Sequence, residues 1–417
     1  FGLPHAGYGI QDLCGSETLA YFSVDDRELL DEVIALIRKS ENPKAAKAAL
    51  MERFALSDAQ AQAILDMRLQ RLTNLEILAL RKEYEDLKKR IAELEAILAS
   101  EKKLMNVIKK ELRAVAERYG VPCVAIQAPV NAVAGAADEY EWTYHAFWTI
   151  ENVYEQYKAL WTAAGYGPGQ GHKVGVAFAN DADGTAWYEV FTQKVAEDGY
   201  ELVDPGQYPA GTTDFSNVIS QFKSAEIDVL AGTNTPPDFS NLWSQALQSG
   251  LEVGCVTMGK CCLLLGDMEA IGEDIMEGVM TEVWWSPDHP YTSDLTGVTC
   301  AQLGEAYSAA NSGRPMPQPA GYGYAAMELA VEAFQAAGTT DKTAVRDALS
   351  QLDVTTIVGP IKYENTMGGL HYSDTVVCGG QWQRAEDGTM ELVIIDNSVF
   401  PEVSTTGAYI AGNASNK

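Results

Sequence analysis

Residues 25–119 contain no glycine, although the chain of 417 residues has 36. Their only proline is Pro43, and their only aromatic residues are Phe54, Tyr84 and Tyr119. They carry 19 Lys/Arg against 18 Asp/Glu, whereas the other 322 residues carry 11 against 40. A stretch without turn-forming glycine and rich in straight-chain residues is built for helix. Its near-neutral balance, set against a remainder of net −29, marks two kinds of fold in one chain. The expected architecture is a helical module set into a glycine-rich, acidic α/β protein.

The second half of the module predicts a long helix. Apolar residues fall at Leu80, Tyr84, Leu87, Ile91, Leu94, Leu98, Met105, Ile108, Leu112, Val115 and Tyr119, with Glu101 as the polar interruption. Steps of four and three give a 3.5-residue period, which asks for a partner helix along one seam. At ~1.5 Å per residue such a helix spans about 60 Å. The first half predicts shorter helices over 29–37 and 45–54, broken by Ser40-Glu41-Asn42-Pro43. Ser57 and Gln60 form a capping-box pattern that opens a third helix running to Leu69.

These residues resemble a known family. LDEVIALIRKSENPKAAKAALMERFALSDAQAQAILDMRLQRLT, followed by the heptad stretch ending in ERYG, is similar to the A subunit of bacterial DNA gyrase. The resemblance covers about 95 residues at the end of that subunit's coiled-coil arm, and the run Met67-Arg68-Leu69-Gln70-Arg71-Leu72-Thr73 is its signature. Most of the arm's outgoing helix, the winged-helix domain and the DNA-cleaving tyrosine have no counterpart here. The resemblance therefore implies a dimerising helical tip and a homodimer through it, not strand passage. Basic and acidic residues alternate at helical spacing, as on a solvated face.

Composition bounds the remainder. A net charge of −28 argues against nucleic acid and anionic membrane surfaces as partners. There is no run of eighteen apolar residues, so no transmembrane helix is expected, and Phe1 opens without a signal-peptide pattern. The seven cysteines, Cys14, Cys123, Cys255, Cys261, Cys262, Cys300 and Cys378, include no C-x-x-C pair, and the five histidines are scattered, so neither a zinc site nor another cofactor is expected. The thiols read as small buried residues.

From residue 121 onward the rhythm is strand and helix. An apolar β-type run covers 121–126, and an aromatic-laden helix is expected over 142–164. Strands at 173–180, 200–203, 227–231 and 253–257 then alternate with helices at 185–198, 214–224 and 239–249. Such spacing argues a parallel, doubly wound sheet, whose ligands sit beyond the carboxyl ends of the strands. Those ends carry Asn180-Asp181-Ala182-Asp183-Gly184, Gly232-Thr233-Asn234-Thr235 and Gly259-Lys260-Cys261-Cys262. They are hydrogen-bonding loops with a single ammonium. No glycine-rich phosphate loop and no nucleophile–base spacing appears, so neither nucleotide binding nor catalysis is expected. Beyond 283, helices are expected over 301–310, 323–337 and 341–352, and a closing meander of strands over 357–363, 379–383 and 390–395.

EYEWTYHAFWTIENVYEQYKALW, NDADGTAW, DPGQYPAGTTDFSNVISQFKS, TPPDFSNLWSQA, TEVWWSPDHPY, TIVGPIKY and GGQWQ together resemble a type I solute-binding protein of an ABC transporter, of the branched-chain amino-acid type. FGLPHAGYGIQDLCGSETL at the start resembles the loop and first helix of the same family. The resemblance implies two α/β lobes joined by three crossings, with a small solute held between them and passed to a permease, outside the cytoplasm. It implies ligand contacts at Tyr8 and on the loop of Gln127, Ala128 and Val130 in the first lobe. In the second lobe it implies Asp183, Thr233, Asn234, Thr235 and Lys260. A tyrosine common in the family falls at Asp183, and the acid that usually holds the substrate amine falls at Lys260 or Cys261. This departure favours an anionic solute.

The gyrase-like module occupies the interval in which the first lobe should continue, so that lobe would lack about three strands. The expected division is 1–24 as a remnant of lobe one, 25–119 as the helical module, 120–145 and 284–352 as lobe one, and 146–283 and 353–417 as lobe two. The expected function is capture of a small polar or amino-acid-like solute. The alternative is a structural chimera whose coiled coil dimerises and whose lobes are inert.

Overall fold

The structure, a computed structural model, describes residues 27–66, 116–134 and 140–416. The chain divides into two compact units, Phe1–Lys109 and Lys110–Lys417. The heptad helix expected over 80–119 lies outside the described residues apart from its last turn, 116–119, which is helical.

In the first unit, α1 (Arg27–Lys39), α2 (Pro43–Phe54) and α3 (Asp58–Leu65) follow the expected breaks. Asn42 caps α2 by accepting from Ala45 N at 2.9 Å, with Pro43 at the first helical position. Ser57 and Gln60 form the reciprocal capping box, at 3.3 and 2.8 Å. Val33, Leu50, Leu56, Ala61 and Ile64 are buried together as a small core of these helices.

The second unit holds two sheets. The first has the order β1–β2–β11–β10, from Cys123–Ile126, Thr143–Ala146, Leu370–Ser373 and Asn365–Met367. The second has the order β13–β12–β7–β6–β5–β3–β4, from Met390–Asp396, Cys378–Arg384, Met280–Val283, Cys255–Gly259, Val229–Thr233, Lys173–Phe178 and Glu201–Val203. Within it β4, β3, β5, β6 and β7 are parallel, whereas β12 and β13 are antiparallel additions. Its central strands are buried throughout, as parallel strands covered by helices on both faces must be. A separate hairpin pairs β8 (Asp353–Thr356) with β9 (Gly359–Lys362).

The helices in chain order are α4 (Val130–Ala134), α5 (Ile150–Ala163), α6 (Ala182–Glu197), α7 (Ser216–Ala225), α8 (Pro236–Gln248), α9 (Leu265–Ile271), α10 (Glu273–Met276), α11 (Cys300–Ala310), α12 (Gln318–Ala337) and α13 (Lys342–Ser350).

Three expectations are corrected. The helix expected over 142–164 begins as strand: Thr143–Ala146 is β2, and α5 starts only at Ile150, capped by Thr149. All four β2 residues, Thr143, Tyr144, His145 and Ala146, are buried in a strand that pairs with β1 and β11, and four consecutive buried positions of mixed type carry neither a strand alternation nor a helical stripe. The division at 353 also shifts. β11 pairs with β2 (His371 opposite Tyr144), so the chain returns to the second sheet at 374–377. The expected closing meander is likewise split, with 357–363 in the separate β8–β9 hairpin and the later strands in β12 and β13.

Three segments therefore cross between the sheets: 147–149, the stretch from Trp284, and 374–377. Phe147, Trp284 and Tyr322 pack mutually edge-on at 5.0–5.2 Å, and Trp148 lies 4.5 Å from Phe147. Phe147 N donates to Ser373 O at 3.2 Å, Tyr322 OH to Thr375 Oγ1 at 2.7 Å, and Trp284 N to Gln318 Oε1 at 2.8 Å. Gly321 on α12 is required here, because a Cβ would sit 2.4 Å from the Trp285 ring.

Phe147→Ala should cost about 3–5 kcal/mol in urea unfolding, because it empties the centre of this cluster. A loss below about 1 kcal/mol would show that the crossings hold without it. Burial lifts the Asp374 carboxyl to about 6, opposed by the hydrogen bond from Asn152 Nδ2 at 3.2 Å and reinforced by the charge of Glu151. The folded chain thus holds this proton more tightly than the unfolded chain. Its stabilising contribution is complete below about pH 4 and lost as pH rises through about 6. Asp374→Asn should remove on the order of 1 kcal/mol of that pH dependence, read by urea unfolding at about pH 4 and pH 7.

Candidate functional site

The carboxyl ends of β3, β5 and β6 converge, as the order of the second sheet requires. After β3, Asp181 caps α6 by accepting from Gly184 N at 2.8 Å. A Cβ on Gly184 would sit 2.2 Å from Ala179 O, so glycine is what lets the helix start so close to the strand end. Asp183 lies in the first turn of α6, where the helix dipole favours a carboxylate.

Lys260 follows β6 with φ 68°, in the left-handed region. Its Nζ lies 2.5 Å from Asp183 Oδ2, with the two side chains 34% and 26% exposed. The two residues expected to give the site its charge are therefore paired with each other. That corrects the electrostatic argument for an anionic solute, because Lys260 presents an ion pair and not a lone ammonium.

The backbone of Lys260 is held from below. Its N–H donates to Glu282 Oε1 at 3.3 Å, while Glu282 Oε2 accepts from Tyr157 OH at 2.5 Å and from Thr281 Oγ1 at 3.0 Å. Glu282 is 1% exposed. Burial pushes its carboxyl up, and the three donors oppose that shift. Burial also raises the Tyr157 hydroxyl, and the charge of Glu282 adds to it. Gly259 packs against Trp187, Glu282 and Tyr157, where a Cβ would lie 3.1–3.2 Å from all three.

The remaining expected contacts have varied surroundings. Tyr8 lies outside the described residues. Thr233 ends β5, and its hydroxyl is buried without a hydrogen-bond partner. Asn234 turns inward, accepting from Tyr208 OH and donating to Ala177 O at 3.4 Å. Thr235 caps α8 by accepting from Asp238 N. Gln127, exposed and at φ 59°, donates from Nε2 to Pro319 O at 2.5 Å. Ala128 O lies 2.7 Å from His145 Nε2. The Val130 side chain is fully buried with Val133, Ala134, Tyr140 and Leu370.

Two further indole N–H groups, on Trp148 and Trp284 of the crossings, are also buried without partners. Trp148 meets Trp187 edge-on at 5.9 Å, and Trp187 borders Gly259, which is opposite Thr233 in the sheet. Asp183, Lys260 and the Thr233 hydroxyl thus share one end of the sheet with the Trp148–Trp187 pair. Asn131 ties the two sides: its Nδ2 donates to the Glu151 carboxylate at 2.9 and 3.1 Å, and its Oδ1 accepts from Ile150 N at 2.9 Å. α4 packs against α6 beside it.

Asn131, Tyr157 and Glu282 were missed by sequence reasoning. A lone acid in an apolar strand, Met280–Val283, was the available signal for Glu282. Among the described residues no group of three or more His, Cys, Asp or Glu could hold a metal ion. Cys255, Cys261, Cys262, Cys300 and Cys378 are buried thiols, and the Sγ atoms of Cys261 and Cys262 lie 3.3 Å apart. A surface cavity of about 550 Å³ lies elsewhere, between α5 and the segment after β13, and includes none of the strand-end residues.

The family model of the periplasmic binding proteins matches residues 107–371. The chain belongs to that family. A second model, that of the A subunit of DNA gyrase/topoisomerase IV, matches residues 16–113. This binding protein thus carries a gyrase-A-like segment ahead of its α/β part. Over 90 residues it is 57% identical to the DNA gyrase A subunit of Halalkalibacterium halodurans, covering 22% of this chain and 11% of that protein. The DNA gyrase A subunit of Clostridium acetobutylicum is 52% identical over 91 residues, with the same coverage. The binding protein thus spans about a tenth of the length of the gyrase subunits it matches.

Among solved structures, a leucine-binding protein from Thermotoga maritima superposes with a TM-score of 0.54 at 18% identity, covering 67% of this chain and 74% of that one. An amino acid ABC transporter substrate-binding protein from Pseudomonas fluorescens gives 0.53 at 19%, covering 72% and 78%. These likenesses show a type I periplasmic-binding-protein fold. No helix among the described residues is long and apolar enough to cross a membrane.

Burial separates the roles of the two acids. Asp183→Asn should change stability by at most about 1 kcal/mol, because the ion pair is partly exposed. Glu282→Ala strips buried donors of their acceptor and should cost at least about 1–3 kcal/mol. Urea unfolding of both variants reads the difference, and equal losses would refute the distinction.

Proposed function

We propose that this chain captures a small amino-acid-like solute between its two lobes and presents it to an ABC-transporter permease outside the cytoplasm. The observation that carries this reading is the Asp183–Lys260 pair, partly exposed at the carboxyl ends of the parallel strands. A zwitterion matches it, with an ammonium beside Asp183 and a carboxylate beside Lys260, so both charges gain partners at no net charge. The Thr233 hydroxyl and the Trp148 indole N–H are hydrogen-bonding groups left over at the same end of the sheet. The family supports the solute-binding role.

The test is thermal melting of the full chain against amino acids and small mono- and dicarboxylates. A ligand at a hundred times its dissociation constant adds about 2.7 kcal/mol and raises the midpoint. A rise with zwitterions that Lys260→Glu abolishes supports the reading. A rise with dicarboxylates alone sinks the zwitterion, and an unchanged response in Lys260→Glu removes the ion pair from the site. A cooperative melt with no rise for any compound favours the chimera whose lobes are inert.

A further inference from the structure

We propose that the solute carries a neutral carbonyl oxygen on its side chain, beyond its zwitterionic head, and that the indole N–H groups of Trp148 and Trp284 are the donors that recognise it. The proposal rests on the solute-binding reading given above and adds to it the class of side chain.

An indole N–H is a donor only, and a buried one that finds no acceptor destabilises the fold. In four places the chain supplies that acceptor from its own core. Trp161 Nε1 donates to Thr257 Oγ1 at 3.0 Å, and Trp243 Nε1 to Ile275 O at 2.8 Å. Trp285 Nε1 donates to Ile357 O at 3.0 Å, and Trp382 Nε1 to Cys262 O at 2.8 Å. Trp148 and Trp284 are nearly as enclosed, at 3% and 5% exposed, yet the N–H of each is buried without a partner. These two tryptophans are the ones on the crossings 147–149 and 284 onward, where the lobes meet.

Both indoles adjoin the loop that carries Lys260. Trp148 meets Trp187 edge-on at 5.9 Å, and a Cβ on Gly259 would lie 3.1 Å from the Trp187 ring. From the other crossing, Trp284 N donates to Gln318 Oε1, and Gln318 Nε2 reaches Leu263 O at 3.5 Å. Phe147 stands between the two indoles, 4.5 Å from one ring and 5.2 Å from the other. Thr233, whose hydroxyl is also buried without a partner, is the residue opposite Gly259 in the sheet.

Two donors of this kind select an oxygen. A side chain ending in an ammonium or guanidinium brings only further donors. An apolar side chain leaves both N–H groups unpaired. A side-chain carboxylate buries a second negative charge against neutral donors. Glu282 already lies beneath the loop, and the Lys260 ammonium is engaged by Asp183 and, in the reading above, by the carboxylate of the zwitterion. A carboxamide fits. Its carbonyl oxygen has two lone pairs for two N–H groups, and its NH2 can donate to the Thr233 hydroxyl. The solute class is therefore an amino acid with a side-chain amide. A site built to pair a polar group rejects analogues lacking it more strongly than an apolar pocket rejects a misfit.

The experiment is isothermal titration calorimetry of the full chain with glutamine, asparagine, glutamate, lysine and leucine as separate probes. Glutamine or asparagine should bind at least about 10-fold more tightly than the other three. Trp148→Phe and Trp284→Phe each keep an aromatic ring and remove one N–H. Each should weaken the amide ligand about 5–10-fold and narrow its lead over leucine. If a variant does not fold, the wild type decides by its tryptophan indole N–H resonances, 8 in all. Two of them should shift on adding the amide ligand and stay in place with leucine. Binding without side-chain preference, a preference for leucine, lysine or glutamate, or a lead that both substitutions leave undiminished overturns this inference and leaves the zwitterion reading standing. The absence of any indole shift specific to the amide ligand overturns it as well. Binding of none of the five overturns both.

Discussion

The α/β part depends on one knot of aromatic side chains. Phe147, Trp284 and Tyr322 stand mutually edge-on where the chain passes between the sheets, and Trp148 joins Phe147. Each comes from a different part of the sequence, so the knot is what makes three separate crossings a single joint. Edge-on rings gain from their quadrupoles as well as from burial. The hydrogen bonds from Phe147 N to Ser373 O and from Tyr322 OH to Thr375 tie the third crossing to the other two. Both sheets are positioned by this joint, and so is whatever lies between them.

The strand-end chemistry is layered on that frame. Glu282 is buried one strand over from Lys260 and accepts its backbone N–H, which helps hold a non-glycine residue in a left-handed turn. Asp183 reaches the same lysine from the start of α6. One acid thus shapes the loop from inside and another neutralises its side chain from the rim. Removing the inner acid strands buried donors, while removing the outer one leaves an ammonium that water can solvate.

The structure divides near the end of the glycine-free stretch 25–119. The division into two units falls at Lys109–Lys110, inside the overlap of the two family matches at 107–113. Among the described residues the first sheet has 4 strands against the 7 of its neighbour. Solved binding proteins of the same fold match this chain over about three quarters of their length.

Local signals in the sequence determined a good deal. The capping box at Ser57, the proline-led start of α2, the alternating strands and helices of the second sheet and the family were all legible, because each rests on a short pattern or a motif run. Asp183 and Lys260 were legible as strand-end residues; their pairing was not, because the partners are 77 positions apart. Tertiary structure alone decided that Thr143–Ala146 is a strand, that β11 returns to the first sheet, and that Val130 and Asn234 face inward. It also decided that Glu282 lies beneath Lys260. The physical reason is common to these cases. A short stretch buried at every position has no periodicity to separate strand from helix, and a side chain's partners are set by which elements the crossings bring together.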